Sequence, residues 1–155
     1  MKLLKYLFFL FLINFNLNAQ PGWSWPEDKA TAEEKNVLYT DYLKQGECQM
    51  AIEPNRWLIQ NVPNLHVSIY QNAIKILRCL IDKEEDADKK NELIQEALSV
   101  FDKRIENFGR EAYVKNRKAT FAYTFFRSDK TQYANLHNMF MEALELNGNK
   151  LGNSN

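Results

Sequence analysis

The side chains that could carry chemistry are few. The chain holds two histidines, His66 and His137, and two cysteines, Cys48 and Cys79. A zinc or copper site gathers several such ligands at short, regular spacing. Neither histidine has a second His or Cys at that distance, so the expectation is no metal site and no cofactor. A Gly-rich phosphate loop, a Gly-x-Ser-x-Gly elbow and a His-Glu-x-x-His helix are all missing from the sequence. Asp and Glu total 20, but the pattern places them on solvent faces rather than paired in an apolar setting, as acid–base catalysis requires. These residues therefore predict a protein that is not an enzyme. His137 falls at the edge of an apolar stripe and reads as a packed or half-exposed structural histidine.

The two cysteines allow a single bridge. Both fall inside predicted helices, where a disulfide needs Cα atoms within about 7 Å. The favoured reading is two small buried apolar side chains, with one disulfide left open. There is no Cys-x-x-Cys redox motif. Asp82-Lys-Glu-Glu-Asp-Ala-Asp88 concentrates acids without the alternating ligands and central Gly of a calcium loop, so it reads as a solvated connector feeding a helix start. Trp23, Trp25 and Trp57 could stack on a sugar. The favoured alternative is packing, with the N-terminal pair covering the open end of the first helix pair and Trp57 facing its core. Tyr113, Lys115, Arg117, Lys118 and Phe121 form a basic-aromatic group. Lys+Arg equal Asp+Glu at 20 each, which argues against displacement of nucleic-acid counterions, so this group reads as a solvated helix face.

The elements that must position these residues follow from length and pattern. A chain of 155 residues has room for one domain. With only 5 Gly and 4 Pro, it leans helical. Residues 1–19 have the layout of a secretory signal peptide: Lys2 and Lys5, the apolar run Leu7-Phe-Phe-Leu-Phe-Leu-Ile13, then asparagines and a small residue at Ala19. The run is too short for a membrane anchor, so no stable span is expected after cleavage. Removing 19 of the 155 residues leaves 136 with net charge −2. The expected location is outside the cytoplasm, in the periplasm or cell envelope or secreted. Residues 20–30 form a Trp/Pro-containing segment, 31–147 a helical domain and 148–155 a disordered tail.

Six helices are expected. The first covers 31–45, opened by a capping box at Thr31 and Glu34 and closed by Gly46. The second covers 47–61, with a kink or late start at Pro54. The third covers 65–81 and the fourth 88–107, each with an apolar stripe at helical spacing. The fifth covers 110–126. The sixth follows an N-cap at Ser128 and runs to 146, with Tyr133, Leu136, Phe140, Ala143 and Leu144 inward. Short connections make these three antiparallel pairs, either a closed bundle or a stacked solenoid.

The spacing of small residues favours the second. Gly46 is followed by Ala51 and Pro63, with Leu38 and Tyr42 before it; Glu96-Ala97-Leu98…Phe101…Ile105…Phe108 and Phe140…Glu142-Ala143-Leu144-Glu145-Leu146 follow the same plan. This resembles the tetratricopeptide repeat. The resemblance implies an all-α, right-handed solenoid of three helix pairs. The segment from Trp25 to Asn36, with Ala51-Ile-Glu-Pro54, Trp57-Leu58, Ser68-Ile-Tyr70 and Asn116-Arg-Lys-Ala119, resembles the N-terminal part of longer, exported tetratricopeptide-repeat proteins of Gram-negative bacterial envelopes. A scaffold mediating protein–protein contacts in the envelope is what that resemblance implies.

Such solenoids bind protein partners along the concave face of their first, third and fifth helices. The polar stripes there are Asn36, Thr40 and Lys44; Gln71, Asn72, Lys75 and Arg78; and Glu111, Lys115 and Lys118. Their slight basic excess suits an acidic or extended peptide. The sixth helix is apolar over a broad arc, with Met139, Met141 and Leu146 flanking its inward stripe. No capping helix follows, so the expectation is that a partner or a second copy covers this end, or that the chain is a shortened version of a longer protein. Two other readings stay open: a truncated structural remnant of a longer repeat protein, and a closed bundle binding a small ligand.

Overall fold

The computed structural model describes residues 22–148. The predicted signal peptide at 1–19, and the predicted tail beyond Gly148, lie outside the described residues. Among the described residues there are six α-helices, one short 3-10 turn and no strand: α1 (Lys29–Gln45), α2 (Cys48–Asn61), α3 (Ser68–Lys83), α4 (Ala87–Phe108), α5 (Glu111–Phe126) and α6 (Tyr133–Asn147). The described residues are all-α, as the composition and periodicity predict.

The helix ends differ from expectation wherever a second polar residue outcompetes the first. α1 begins before Thr31, because Asp28 takes the N-cap. Its carboxylate accepts from the Thr31 N–H at 3.4 Å and from the Thr31 hydroxyl at 2.9 Å. Glu34 holds Lys35 at 3.1 Å instead of reaching back. Gly46 ends α1 as expected, at φ 77°, with its N–H on Leu43 O and the Glu47 N–H on Tyr42 O. α2 starts at Cys48 and runs through Pro54 without the late start expected there. Pro54 removes one bond, to the carbonyl of Met50, a residue that is itself exposed. α3 starts at Ser68 rather than 65. Residues 62–67 form a turn instead, fixed by the Leu65 N–H on Val62 O and the Tyr70 hydroxyl on Pro63 O at 3.0 Å. Asp86 caps α4, accepting from the Asp88 and Lys89 N–H groups at 3.0 Å. Ser128 does not cap α6. Asp129 accepts from the Thr131 N–H and hydroxyl, and a 3-10 turn at Lys130–Gln132 delays α6 to Tyr133.

The extensive helix contacts all join chain neighbours, from α1 on α2 through α5 on α6. Ala51, Ala97 and Ala122 are fully buried, and side chains this small let helix axes approach closely. Tyr39, Leu58, Leu65, Ile69, Tyr70, Ile76 and Leu77 fill the space between them. Each large side chain so buried contributes about 1.5–3 kcal/mol against exposure to water. Asn55 is buried among them and donates to Ile69 O at 3.0 Å, tying α2 to the first turn of α3. Arg56 reaches past α3 to α4, holding Glu96 through Nε and Nη2 at 2.7 and 2.6 Å.

Two side-chain expectations are corrected. Cys48 and Cys79 form a disulfide, with Cα atoms 6.2 Å apart, rather than standing as two separate apolar residues. Cys48 opens α2 and Cys79 lies near the end of the antiparallel α3, so both sit at the same end of that pair. The inward stripe of α6 is narrower than its apolar pattern. Leu136 and Ala143 are buried, while Tyr133 and Leu144 are 51% and 40% exposed.

Candidate functional site

The helices place a groove of about 560 Å³ between α3 and α5, with α4 as its floor. One wall is a single face of α3, carrying Gln71, Ile74, Lys75 and Arg78 at helical spacing. The other wall is α5, carrying Tyr113, Asn116, Arg117 and Thr120. Phe101 and Arg104 of α4, with Phe121, form the base. Phe101 and Phe121 meet edge to face, with ring centroids 5.6 Å apart. No Asp or Glu lines the groove, whereas Lys75, Arg78, Arg104 and Arg117 all do.

The cations are organised around Tyr113. The guanidiniums of Arg104, Arg110 and Arg117 lie 5.4, 4.7 and 5.6 Å from its ring centroid. Stacking on an aromatic face offsets part of the cost of gathering like charges. Arg110 holds a left-handed backbone conformation, at φ 57°, immediately before α5. Arg104 is only 7% exposed, and its buried Nε has no hydrogen-bond partner. Burial lowers the Arg104 pKa, and the neighbouring Arg110 and Arg117 charges lower it further, against the attraction of Tyr113. Among the described residues, no carboxylate lies within salt-bridge distance of Arg78, Arg104, Arg110 or Arg117. Arg78 instead stands 6.0 Å from the Phe125 ring.

The sequence-predicted binding residues divide into three groups. Gln71, Lys75 and Arg78 line the groove. Asn72 beside them turns to α1, donating to the buried Tyr39 hydroxyl at 3.3 Å and accepting from Lys75 at 3.2 Å. The α1 residues stand apart from the groove. Asn36 is half-buried with an unpartnered Oδ1, Thr40 donates to Asn36 O at 2.7 Å, and Lys44 pairs with Asp41. On α5, Glu111 is exposed and lies outside the groove lining. Lys115 pairs with Glu142 of α6 at 2.8 Å, which raises its pKa, and Lys118 pairs with Asp102 of α4 at 2.6 Å.

The groove's α5 wall is therefore the neighbouring stripe, Tyr113, Asn116, Arg117 and Thr120. Arg104 has no place in the sequence reading, although its spacing from Ala97, Phe101 and Phe108 puts it on the inward face of α4. That spacing is the signal that could have found it.

The other candidates resolve as packing. Trp23 is sandwiched between Trp25 and His66, at centroid distances of 5.2 and 4.6 Å and nearly parallel to both. The Ser24 N–H binds Leu65 O at 2.8 Å, so this segment covers the α2–α3 turn. His66 Nδ1 accepts from the Ser68 N–H at the start of α3. His137, expected to be packed or half-exposed, lies on the exposed side of α6. No group of His, Cys, Asp and Glu among the described residues could hold a metal ion. No helix there is long and apolar enough to cross a membrane. No protein-family model, curated protein or solved structure matches the chain.

Proposed function

We propose that this chain is a non-enzymatic, exported scaffold of the tetratricopeptide-repeat type, which holds an acidic, extended segment of an envelope protein. The observation that carries the reading is the groove between α3 and α5, with Phe101 and Phe121 beside Arg104 at its base and cations on both walls. A segment laid there would place carboxylates against Lys75, Arg78 and Arg117 and apolar side chains over Phe101 and Phe121. Packing that is extensive between chain neighbours, with alanines at the contacts, supports the solenoid. The disulfide supports export, because such bonds persist in oxidising compartments.

Cross-linking in the native envelope, followed by identification of the captured protein, tests this directly. Charge reversal at Lys75 and Arg78 should abolish capture, because both side chains face the groove and neither is held in a salt bridge among the described residues. Capture that survives the double reversal would remove the groove from the interface.

A further inference from the structure

Arg104 is the least explained residue in the molecule. A guanidinium carries five donors and a charge that is costly to remove from water. Buried cations in folded chains are ordinarily paired with a carboxylate. Here the charges acting on Arg104 are two more guanidiniums, Arg110 and Arg117, and the face of Tyr113 offsets part of the cost. Such an arrangement is self-repelling unless an anion enters. The groove gives that anion a path, since Arg104 and Arg117 both line it.

The charge count selects the ligand. Lys75, Arg78, Arg104 and Arg117 line the groove, and Arg110 shares the Tyr113 ring. A single carboxylate would neutralise one of these cations. A phosphate ester or diphosphate offers several acceptor oxygens and more than one negative charge, and guanidinium forks match its geometry. The hydroxyls of Thr120 and Thr124 donate to Asn116 O and Thr120 O of their own helix, so the donors facing the groove are chiefly cationic. Its volume of about 560 Å³ lies within the usual range for small-ligand sites.

We propose that the floor of the α3–α5 groove is a binding site for a multiply charged phosphate group, held by Arg104 and Arg117 against Tyr113 with Arg78 and Lys75 at the rim. This site stands without the protein-scaffold reading, because it needs only a small anion.

Calorimetric titration of the purified protein with inorganic pyrophosphate tests it, with acetate at matched ionic strength as the comparison. The expected result is saturable pyrophosphate binding and none with acetate. Arg104→Gln and Arg117→Gln should each weaken binding about tenfold or more, the usual effect of losing a charged hydrogen-bond donor. Arg104→Lys, which keeps the charge and loses the fork, should fall between. Lys103→Gln removes the same charge from the exposed side of α4 and should leave binding unchanged. Circular dichroism verifies that each variant is folded. Should Arg104→Gln fail to fold, the exposed Arg117 carries the test alone.

Vesicles containing phosphatidic acid then separate two sources. Vesicle binding that pyrophosphate competes away assigns the phosphate to a lipid headgroup. Pyrophosphate binding without vesicle binding assigns it to a free small phosphate. Unsaturable pyrophosphate heats, or equal binding by wild type, Arg104→Gln and Arg117→Gln, would overturn the site.

Discussion

Cys48 in the first turn of α2 is bonded to Cys79 near the end of α3, closing a loop across a sequence separation of 31 residues. Cross-linking a loop of that length restricts the unfolded chain and stabilises the fold by about 3–4 kcal/mol in the chain-entropy account. Replacing both cysteines with serine should lower the urea midpoint accordingly while leaving helix content intact. Denaturation curves of the two proteins give the difference. An unchanged midpoint would mean that helix packing alone holds α2 on α3.

Tyr70 is fully buried, and burial, reinforced by the nearby Glu106 charge, pushes its hydroxyl pKa up to about 12. The neutral phenol is the form the fold prefers. Its contribution is therefore complete below the ordinary tyrosine value of about 10 and is lost as pH rises through about 12. A shift of that size corresponds to about 2–3 kcal/mol. Stability measured by denaturant between those two pH values should fall less steeply in Tyr70→Phe than in wild type. Parallel curves would show that Tyr70 does not govern the alkaline limit.

The isolated Arg104 charge should cost stability in the absence of an anion. Replacing a buried, poorly compensated ion with a hydrophobic side chain of similar volume is often stabilising, by about 1–4 kcal/mol. Arg104→Met should therefore raise the denaturation midpoint in phosphate-free buffer. A lowered midpoint would indicate that stacking on Tyr113 already balances the charge.

Met141, Leu144 and Leu146 on α6, with Tyr123 of the adjacent α5, leave several large apolar side chains exposed on these two neighbouring helices. Exposed large apolar side chains favour association. Light scattering across a concentration series should show the mass rising, and Leu144→Glu with Leu146→Lys should suppress the rise. A monomer at every concentration would mean that this surface is tolerated bare.

What the sequence reveals depends on how sharply each helix separates its faces. α3 buries Ile69, Ala73, Ile76 and Leu77, as the spacing predicts, and the opposite face supplies Gln71, Lys75 and Arg78 to the groove. α5 offers no such contrast. It buries Val114, Ala119, Phe121 and Ala122 and spreads Tyr113, Tyr123 and Phe125 over its remaining sides. Its polar stripe is therefore ambiguous by one position. Lys115 and Lys118 on one stripe are paired to α6 and α4, while Arg117 on the next faces the groove. Arg104 escaped notice because charged residues are assigned to solvent by default. The disulfide stays open in the sequence because pattern alone does not reveal which helix ends lie side by side.

The neighbour-to-neighbour packing of the helices also bears on how the chain finds this structure. Contacts between adjacent helices span short stretches of sequence, so the topology has low contact order and closes only small loops as it forms. The exceptions are few, and Arg56 to Glu96, separated by 40 residues, is one of them. A chain built this way assembles locally and quickly. Hydrogen exchange should therefore find the inner helices, covered on two sides, opening slowest, and α1 and α6, each packed mainly on one neighbour, opening first. The groove lies across α3, α4 and α5, so its cations are carried by helices that each have neighbours on both sides.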